Sequence, residues 1–239
     1  MKATSFDFSD ENVLVIGGSK GIGRKVCELF VHYKAKNVYS IARTPCDVHG
    51  VLNKICDISD EKALLKKFSE IDEVIGVLIN VAGTNLCETI ENISSDEWDR
   101  VLNTNLKSFY LSIKYFSKNM KIQRKGKIVN VSSIAGRSKS IVSGVHYTAS
   151  KYGIIGLTKQ VSQELGPYGI NVNCTCPSQT MTEMLKASMS RQQITDLENR
   201  IPVKRISNVT EQAMPILFLC TDAASYIHGS AIDVNGGQL

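Results

Sequence analysis

Apolar positions along this chain follow two alternating patterns. Short apolar runs at residues 12–16, 37–42, 51–56, 74–81, 127–131, 170–176 and 231–234 read as strands. The run at 74–81 is nearly continuous, as expected of a strand buried on both faces. Between these runs lie longer stretches whose apolar residues recur near helical spacing. They predict helices over 22–33, 61–71, 96–120, 147–165, 181–198 and 211–220. Strand and helix alternate from one end to the other. That order predicts an α/β fold, a doubly wound parallel sheet with helices on both faces. No repeat, linker or composition shift divides the chain, so residues 1–239 read as one domain, an ordinary size for one.

Composition narrows the classes of function. Apolar residues make up 43% and charged residues 21%, a globular balance. The net charge of +5 comes from scattered Lys and Arg, which reads as a solvated surface, not a nucleic-acid or membrane face. The seven cysteines are odd in number and dispersed, which does not make a disulfide framework. Cys174 and Cys176 share one face of a predicted strand, and buried reduced thiols are the expectation. His32, His49 and His228 are scattered and point to no metal. The first residues are acidic with no apolar core of a signal peptide, and no run approaches the roughly 18 apolar residues of a membrane span. A cytosolic chain is expected.

The first chemical signal is a glycine turn. Gly17-Gly18-Ser19-Lys20-Gly21-Ile22-Gly23 joins the first strand to the first helix, with Gly17, Gly21 and Gly23 in a G-x-x-x-G-x-G pattern. Such glycines permit a tight turn, backbone approach to a pyrophosphate, and close helix–strand packing. The helix N-terminus offers free N–H groups and a positive dipole end to phosphate. The alternative is a plain glycine-rich turn. Lys20 lies within the turn, and Arg43 follows the second strand, where an acidic residue would hold the free ribose 2′-hydroxyl of NAD. A cation there suits a 2′-phosphate, so NADP(H) is the expected cofactor. The alternative is that both cations face solvent only.

An ordered set of motifs follows. Asn80-Val81-Ala82-Gly83 ends the fourth strand. Asn105 stands within the long predicted helix. Ser133 closes the fifth strand, and Tyr147-Thr148-Ala149-Ser150-Lys151 forms Y-x-x-x-K. Pro177 and Thr182 follow the sixth strand, and Asp233-Val234-Asn235-Gly236-Gly237 lies at the end. Taken together the chain resembles the short-chain dehydrogenase/reductases, a match over nearly its whole length that implies a Rossmann-type sheet. It departs from that pattern at Ile16, where Thr is frequent, and at Ser178, where glycine is usual.

The resemblance implies roles. Asn105, Ser133, Tyr147 and Lys151 would be catalytic. Gly17, Ser19, Lys20, Gly21, Ile22, Gly23, Arg43, Asp57, Ile58, Asn80, Ala82, Gly83, Tyr147, Lys151, Pro177 and Thr182 would contact the cofactor, with Asp57-Ile58 at the adenine. Asn80 is expected to tie strands together near the cofactor. Tyr147 and Lys151, four apart, share a helical face, and a neighbouring ammonium favours tyrosinate. Tyr147 would be the general acid or base, Ser133 would hold the carbonyl oxygen, and Asn105 would position a relay water. Ser132 and His146 are weaker catalytic candidates, and His146 is read as pocket lining. Tyr110 and Lys114 also form Y-x-x-x-K, but no serine-bearing strand precedes them. They read as helix surface or interface.

The resemblance is nearest to 3-oxoacyl-carrier-protein reductases and related carbonyl reductases. It implies a small-molecule carbonyl or alcohol substrate and a homotetramer, or a dimer. Acyl carrier protein is a candidate partner: Arg124 fits an entrance position, while Tyr168 stands where Arg is common. The short stretch between Arg43 and Asp57 leaves little room for a helix there, a shortening also found in relatives that oxidise cyclic diols. A dihydrodiol or cyclic alcohol dehydrogenase, and a non-catalytic NADP(H)-binding sensor or scaffold, stay open. The residues 181–198 are expected to form a mobile lid, with Met181, Met184, Leu185 and Met189 as its apolar face.

Overall fold

The computed structural model describes residues 6–140, 143–182, 185 and 190–239. Seven parallel strands form one sheet: β1 (Asn12–Ile16), β2 (Asn37–Ala42), β3 (Val51–Ile55), β4 (Val77–Asn80), β5 (Gly126–Val131), β6 (Ile170–Pro177) and, last in the chain, β9 (Ala231–Val234). Their order is β3-β2-β1-β4-β5-β6-β9. The chain therefore builds outward from β1 in one direction and, after β3, from β4 in the other. The exits of β1 and β4 diverge, and this divergence opens the crevice where doubly wound sheets take ligands.

Alternation along the strands makes two cores. Leu14 and Ile16 of β1, with Leu78 and Ile128, pack beneath α2 (Glu61–Ser69), α4 (Ser108–Gln123) and α5 (Val145–Leu165), through Leu64, Phe68, Phe109, Phe116, Met120 and Ile154. Val13, Val15, Val77, Ile79 and Val129 face the other way. There they meet Val26 and Phe30 of α1 (Gly21–His32), and Ala213, Ile216 and Leu217 of α7 (Val209–Leu219). Both faces of the central strands are buried, hence their nearly unbroken apolar sequence.

The structure revises three sequence expectations. The long helix expected over 96–120 is interrupted. It runs as α3 (Ser95–Leu102), a π-helical turn (Asn103–Lys107) and then α4. The inserted residue turns buried Asn105 inward, and π-turns of this kind concentrate at functional sites. The apolar run at 74–81 yields a shorter strand, because β4 begins at Val77 while Val74 is exposed. Met181, expected to begin a helix, instead lies in β7 (Thr180–Met181), which pairs with β8 (Ser207–Asn208) in a small parallel sheet. Downstream, α6 (Arg191–Arg200) is closed by a Ser190/Gln193 capping box. Glu183, Met184 and residues 186–189 of the expected lid lie outside the described residues. As expected, residues 43–50 join β2 to β3 without a helix. No helix among the described residues is long and apolar enough to cross a membrane.

Candidate active site

The motif-bearing segments gather at the C-terminal edge of the sheet. Gly17 follows β1, Arg43 follows β2, Asp57 lies just beyond β3, Ala82 and Gly83 beyond β4, Ser133 beyond β5, and Thr182 beyond β6. Pro177 ends β6 itself.

The turn from β1 into α1 is shaped by what a side chain would strike. Gly17 has φ 96°, and a Cβ there would lie 2.6 Å from the Ala82 backbone, so its absence lets the β4 exit pass. A Cβ at Gly23 would collide with the Gly17 carbonyl oxygen. Lys20 caps α1 without a side-chain hydrogen bond, and no acidic residue stands in the first turn. By contrast α2, α3, α6 and α7 each receive a side-chain cap, from Asp60, Ser94, Ser190 and Asn208. The α1 terminus thus keeps its N–H groups and positive dipole end for an anion, with Ser19, Lys20, Gly21 and Ile22 around it. A Cβ at Gly21 would lie 3.5 Å from the Thr182 methyl, so this turn and the segment after β6 face each other closely.

The surface beyond β2 and β3 is charged. Arg43 is exposed and its charge reaches Asp57. Desolvation pushes the Asp57 carboxyl up, but the Ser59 N–H and hydroxyl, with Arg43 and Arg100, bring it below its ordinary value. Ile58 is buried in the core beside it. The uncapped α1 terminus and the two glycine clearances fit a dinucleotide's pyrophosphate, with Arg43 and Lys20 exposed beside it.

Four expected catalytic residues converge at the other end. The Ser133 hydroxyl oxygen accepts the Ala135 N–H at 3.1 Å, and the same hydroxyl acts on the Tyr147 phenol. Burial pushes the Tyr147 phenol above its ordinary range, and the Ser133 bond acts against that rise. Lys151 is buried, its Nζ donates to the Val131 carbonyl at 2.9 Å, and it lies 5.4 Å from the Tyr147 ring centre. Burial pushes its ammonium down to about 8. Asn105 accepts the Thr84 N–H at 2.8 Å and donates to the Thr84 carbonyl at 2.9 Å and to Ser150 Oγ at 3.1 Å. A Cβ at Gly83 would stand 3.6 Å from Lys151 Nζ and 3.8 Å from Asn105 Oδ1, so these groups line one recess.

Other sequence candidates fall elsewhere. The Asn80 side chain donates to Asn130 at 2.9 Å and accepts from Ser112 at 2.7 Å, while Asn130 donates to Thr158 at 3.0 Å. This buried ladder ties β4, β5, α4 and α5 together and turns the Asn80 amide into the sheet interior. Ser132 donates to the Lys151 carbonyl at 2.8 Å and is buried away from the phenol. His146, read as pocket lining, is instead fully enclosed against α3. Thr84 and Ser150 were not singled out in the sequence. Ser150 sits within the Y-x-x-x-K spacing, and Thr84 directly follows Ala82-Gly83, so position alone was their signal.

Sheet order, glycine turn and the Ser133–Tyr147–Lys151 cluster define a nucleotide-dependent oxidoreductase framework. The family model described as short chain dehydrogenase matches residues 11–193. The chain belongs to this family, whose members act on carbonyl or alcohol groups. It is 32% identical over 236 residues to a 3-oxoacyl-[acyl-carrier-protein] reductase of Vibrio harveyi, covering 94% of this chain and 96% of the relative. It is 33% identical over 242 residues to an NAD-dependent glycerol dehydrogenase of Listeria innocua, covering 97% and 95%. A crystal structure of a 3-oxoacyl-[acyl-carrier protein] reductase from Brucella melitensis superposes with a TM-score of 0.92 at 30% identity, covering 98% of this chain and 93% of that one.

Proposed function

We propose that this chain is an NADP(H)-dependent reductase that converts a ketone or 3-oxo group into a secondary alcohol, or runs the reverse reaction. The observation that carries this reading is the Ser133 hydroxyl acting on the buried Tyr147 phenol, with the Lys151 ammonium 5.4 Å from the phenol ring and anchored to the Val131 carbonyl. A carbonyl oxygen entering between them meets two donors. Tyr147 gives its proton to that oxygen as hydride reaches the carbon, and Ser133 steadies the developing charge. The Lys151 ammonium favours the tyrosinate left behind, offsetting the burial that resists it. Lys151 would also hold the ribose hydroxyls of the nicotinamide half, and Asn105 with Thr84 would position a water that returns the proton. When bound, the nicotinamide supplies or accepts the hydride. Gly17, Ser19, Gly21, Ile22, Gly23, Ala82, Gly83, Pro177 and Thr182 form the cofactor cradle, with Asp57 and Ile58 at the adenine.

Lys20 and Arg43 favour NADPH over NADH. Arg43→Ala should weaken NADPH about 10-fold while leaving NADH nearly unchanged, the difference expected for one charge-assisted phosphate contact. Fluorescence titration of both cofactors checks this, and tighter NADH binding by the unaltered protein would overturn it. Rates with ethyl 3-oxobutanoate, a cyclic ketone and a 3-oxoacyl thioester test the reaction class. Oxidation of a cyclic diol with NADP⁺, and no reduction of any ketone, would favour the dehydrogenase reading that the helix-free 43–50 connection supports.

The substrate in this reading is a free small molecule, since Tyr168 stands where carrier-protein reductases commonly have Arg. Trp98, Val145 and Tyr152 are exposed on α3 and α5, which supports burial between copies in a homotetramer. A monomer by light scattering at micromolar concentration would refute that assembly. Seven unpaired cysteines suit the cytoplasm.

A further inference from the structure

We infer that His146 is a positioning residue, whose imidazole Nδ1 replaces the missing side-chain cap of α5 and thereby fixes the turn that carries Tyr147. The inference rests on the reading of Tyr147 as the proton donor. Three observations carry it.

First, α5 begins with Gly144 as its cap and has no capping side chain, so its first N–H groups need other acceptors. The Tyr147 N–H finds one in His146 Nδ1 at 3.0 Å. An acceptor at Nδ1 requires the neutral ring to carry its proton on Nε2. The other end of the same residue is held too, because the Tyr147 carbonyl accepts the Ser150 hydroxyl at 2.7 Å. Ser150 is in turn bonded by Asn105.

Second, Gly144 has an ordinary φ of −69°, so its backbone does not call for glycine. The clearance does: a Cβ there would lie 2.5 Å from His146 Cε1, 2.8 Å from its Nδ1 and 2.6 Å from the Leu86 carbonyl. The ring and the Leu86 carbonyl together leave no room for a Ser, Thr or Asp cap, worth about 1 kcal/mol, and the ring supplies an acceptor in its place.

Third, the ring is buried at an energetic penalty. His146 is 0% exposed, and Nε2 has no hydrogen-bond partner among the described residues. The Glu97 carboxylate stands 3.8 Å away, beyond hydrogen-bond reach, and is itself gripped by Arg100 at 2.7 Å. Leucine would fill this space with no orphaned N–H. What only the imidazole supplies here is the Nδ1 acceptor.

The test separates the two ring nitrogens. His146→Asn keeps an acceptor near Nδ1, His146→Gln places its amide near Nε2, and His146→Leu keeps only bulk. Nitrogen spectra of the histidine-labelled unaltered protein should show the Nε2-protonated tautomer at His146. Amide exchange at Tyr147 should quicken about 10-fold or more in the Gln and Leu variants and stay slow in Asn, as expected for loss of one local tether. With ethyl 3-oxobutanoate and NADPH, kcat should fall about 10-fold in Gln and Leu, with KM and cofactor affinity within about twofold, and Asn should recover most of the rate. A charged or Nδ1-protonated ring, or equal Tyr147 exchange in Asn, Gln and Leu, overturns the inference. The tautomer and exchange need no turnover. A protein inert toward every carbonyl would therefore sink the functional reading while these two measurements still decide the role of His146.

Discussion

Two tyrosine–lysine pairs in this protein share one spacing and nearly one geometry. In α4, Lys114 Nζ lies 5.5 Å from the Tyr110 ring centre; in α5, Lys151 Nζ lies 5.4 Å from the Tyr147 ring centre. A helix brings i and i+4 together wherever they occur, so the spacing is the same and says little. The surroundings differ. Tyr110 is 44% exposed and Lys114 is exposed with it, whereas Lys151 is 3% exposed. Only Tyr147 has a serine hydroxyl on its phenol, and only its lysine is anchored to a strand end. The pair in α4 is a solvated surface contact. The pair in α5 is desolvated and held by the sheet end and its neighbours, which is what the proposed proton-transfer role requires.

The comparison can be broken in order of effect. Lys151→Ala removes the charge behind Tyr147 and the cofactor contact proposed for it together. Turnover should fall about 10³-fold with a clear loss of NADPH affinity, within the range for a disabled acid–base group. Lys114→Ala should change neither in a steady-state assay. Ser133→Ala removes only the second donor. It should lower kcat about 10²-fold with unchanged NADPH affinity by fluorescence, as for loss of one oxyanion donor.

The smallest effect is one of stability. Burial brings the Lys151 ammonium from 10.5 in an unfolded chain to about 8 in the folded protein. Between these values the unfolded chain binds the proton and the folded one does not, so stability rises with pH across that window. Below about 8 the buried charge exerts its full penalty, up to about 3 kcal/mol. Lys151→Met should therefore be more stable than the unaltered protein in urea melts at pH 7, by about 1–3 kcal/mol, with the advantage fading toward pH 10. Lys114→Met, at an exposed position, should stay within about 0.5 kcal/mol at both pH values. A Lys151→Met variant that is less stable at pH 7 would show that the ammonium is well solvated where it sits.

Much of this was legible in the chain because it is carried by patterns a helix or strand must obey. The unbroken apolar runs at β1, β4 and β5 required burial on two faces, and the Gly17–Gly23 turn required a close approach. What escaped was whatever depends on one residue's neighbours in space. The π-turn at Asn103–Lys107 disturbs the helical apolar spacing too little to be read, and the Asn105–Thr84 bonds that accompany it span 21 residues. β7 and β8 are two residues each, too short for any periodicity. His146 looked like a pocket residue because it adjoins Tyr147, but successive helical positions point in different directions, and its ring turns into the α3 packing.

The most direct test of the central claim is a matched pair, Tyr147→Phe and Tyr110→Phe, each losing one hydroxyl and keeping its ring. NADPH binding is followed by fluorescence alongside the rate on a ketone that the unaltered protein reduces. Tyr147→Phe should bind NADPH normally and lose at least about 10²-fold in turnover, while Tyr110→Phe keeps both. Near-full turnover in Tyr147→Phe, or a comparable loss in Tyr110→Phe, would contradict the account.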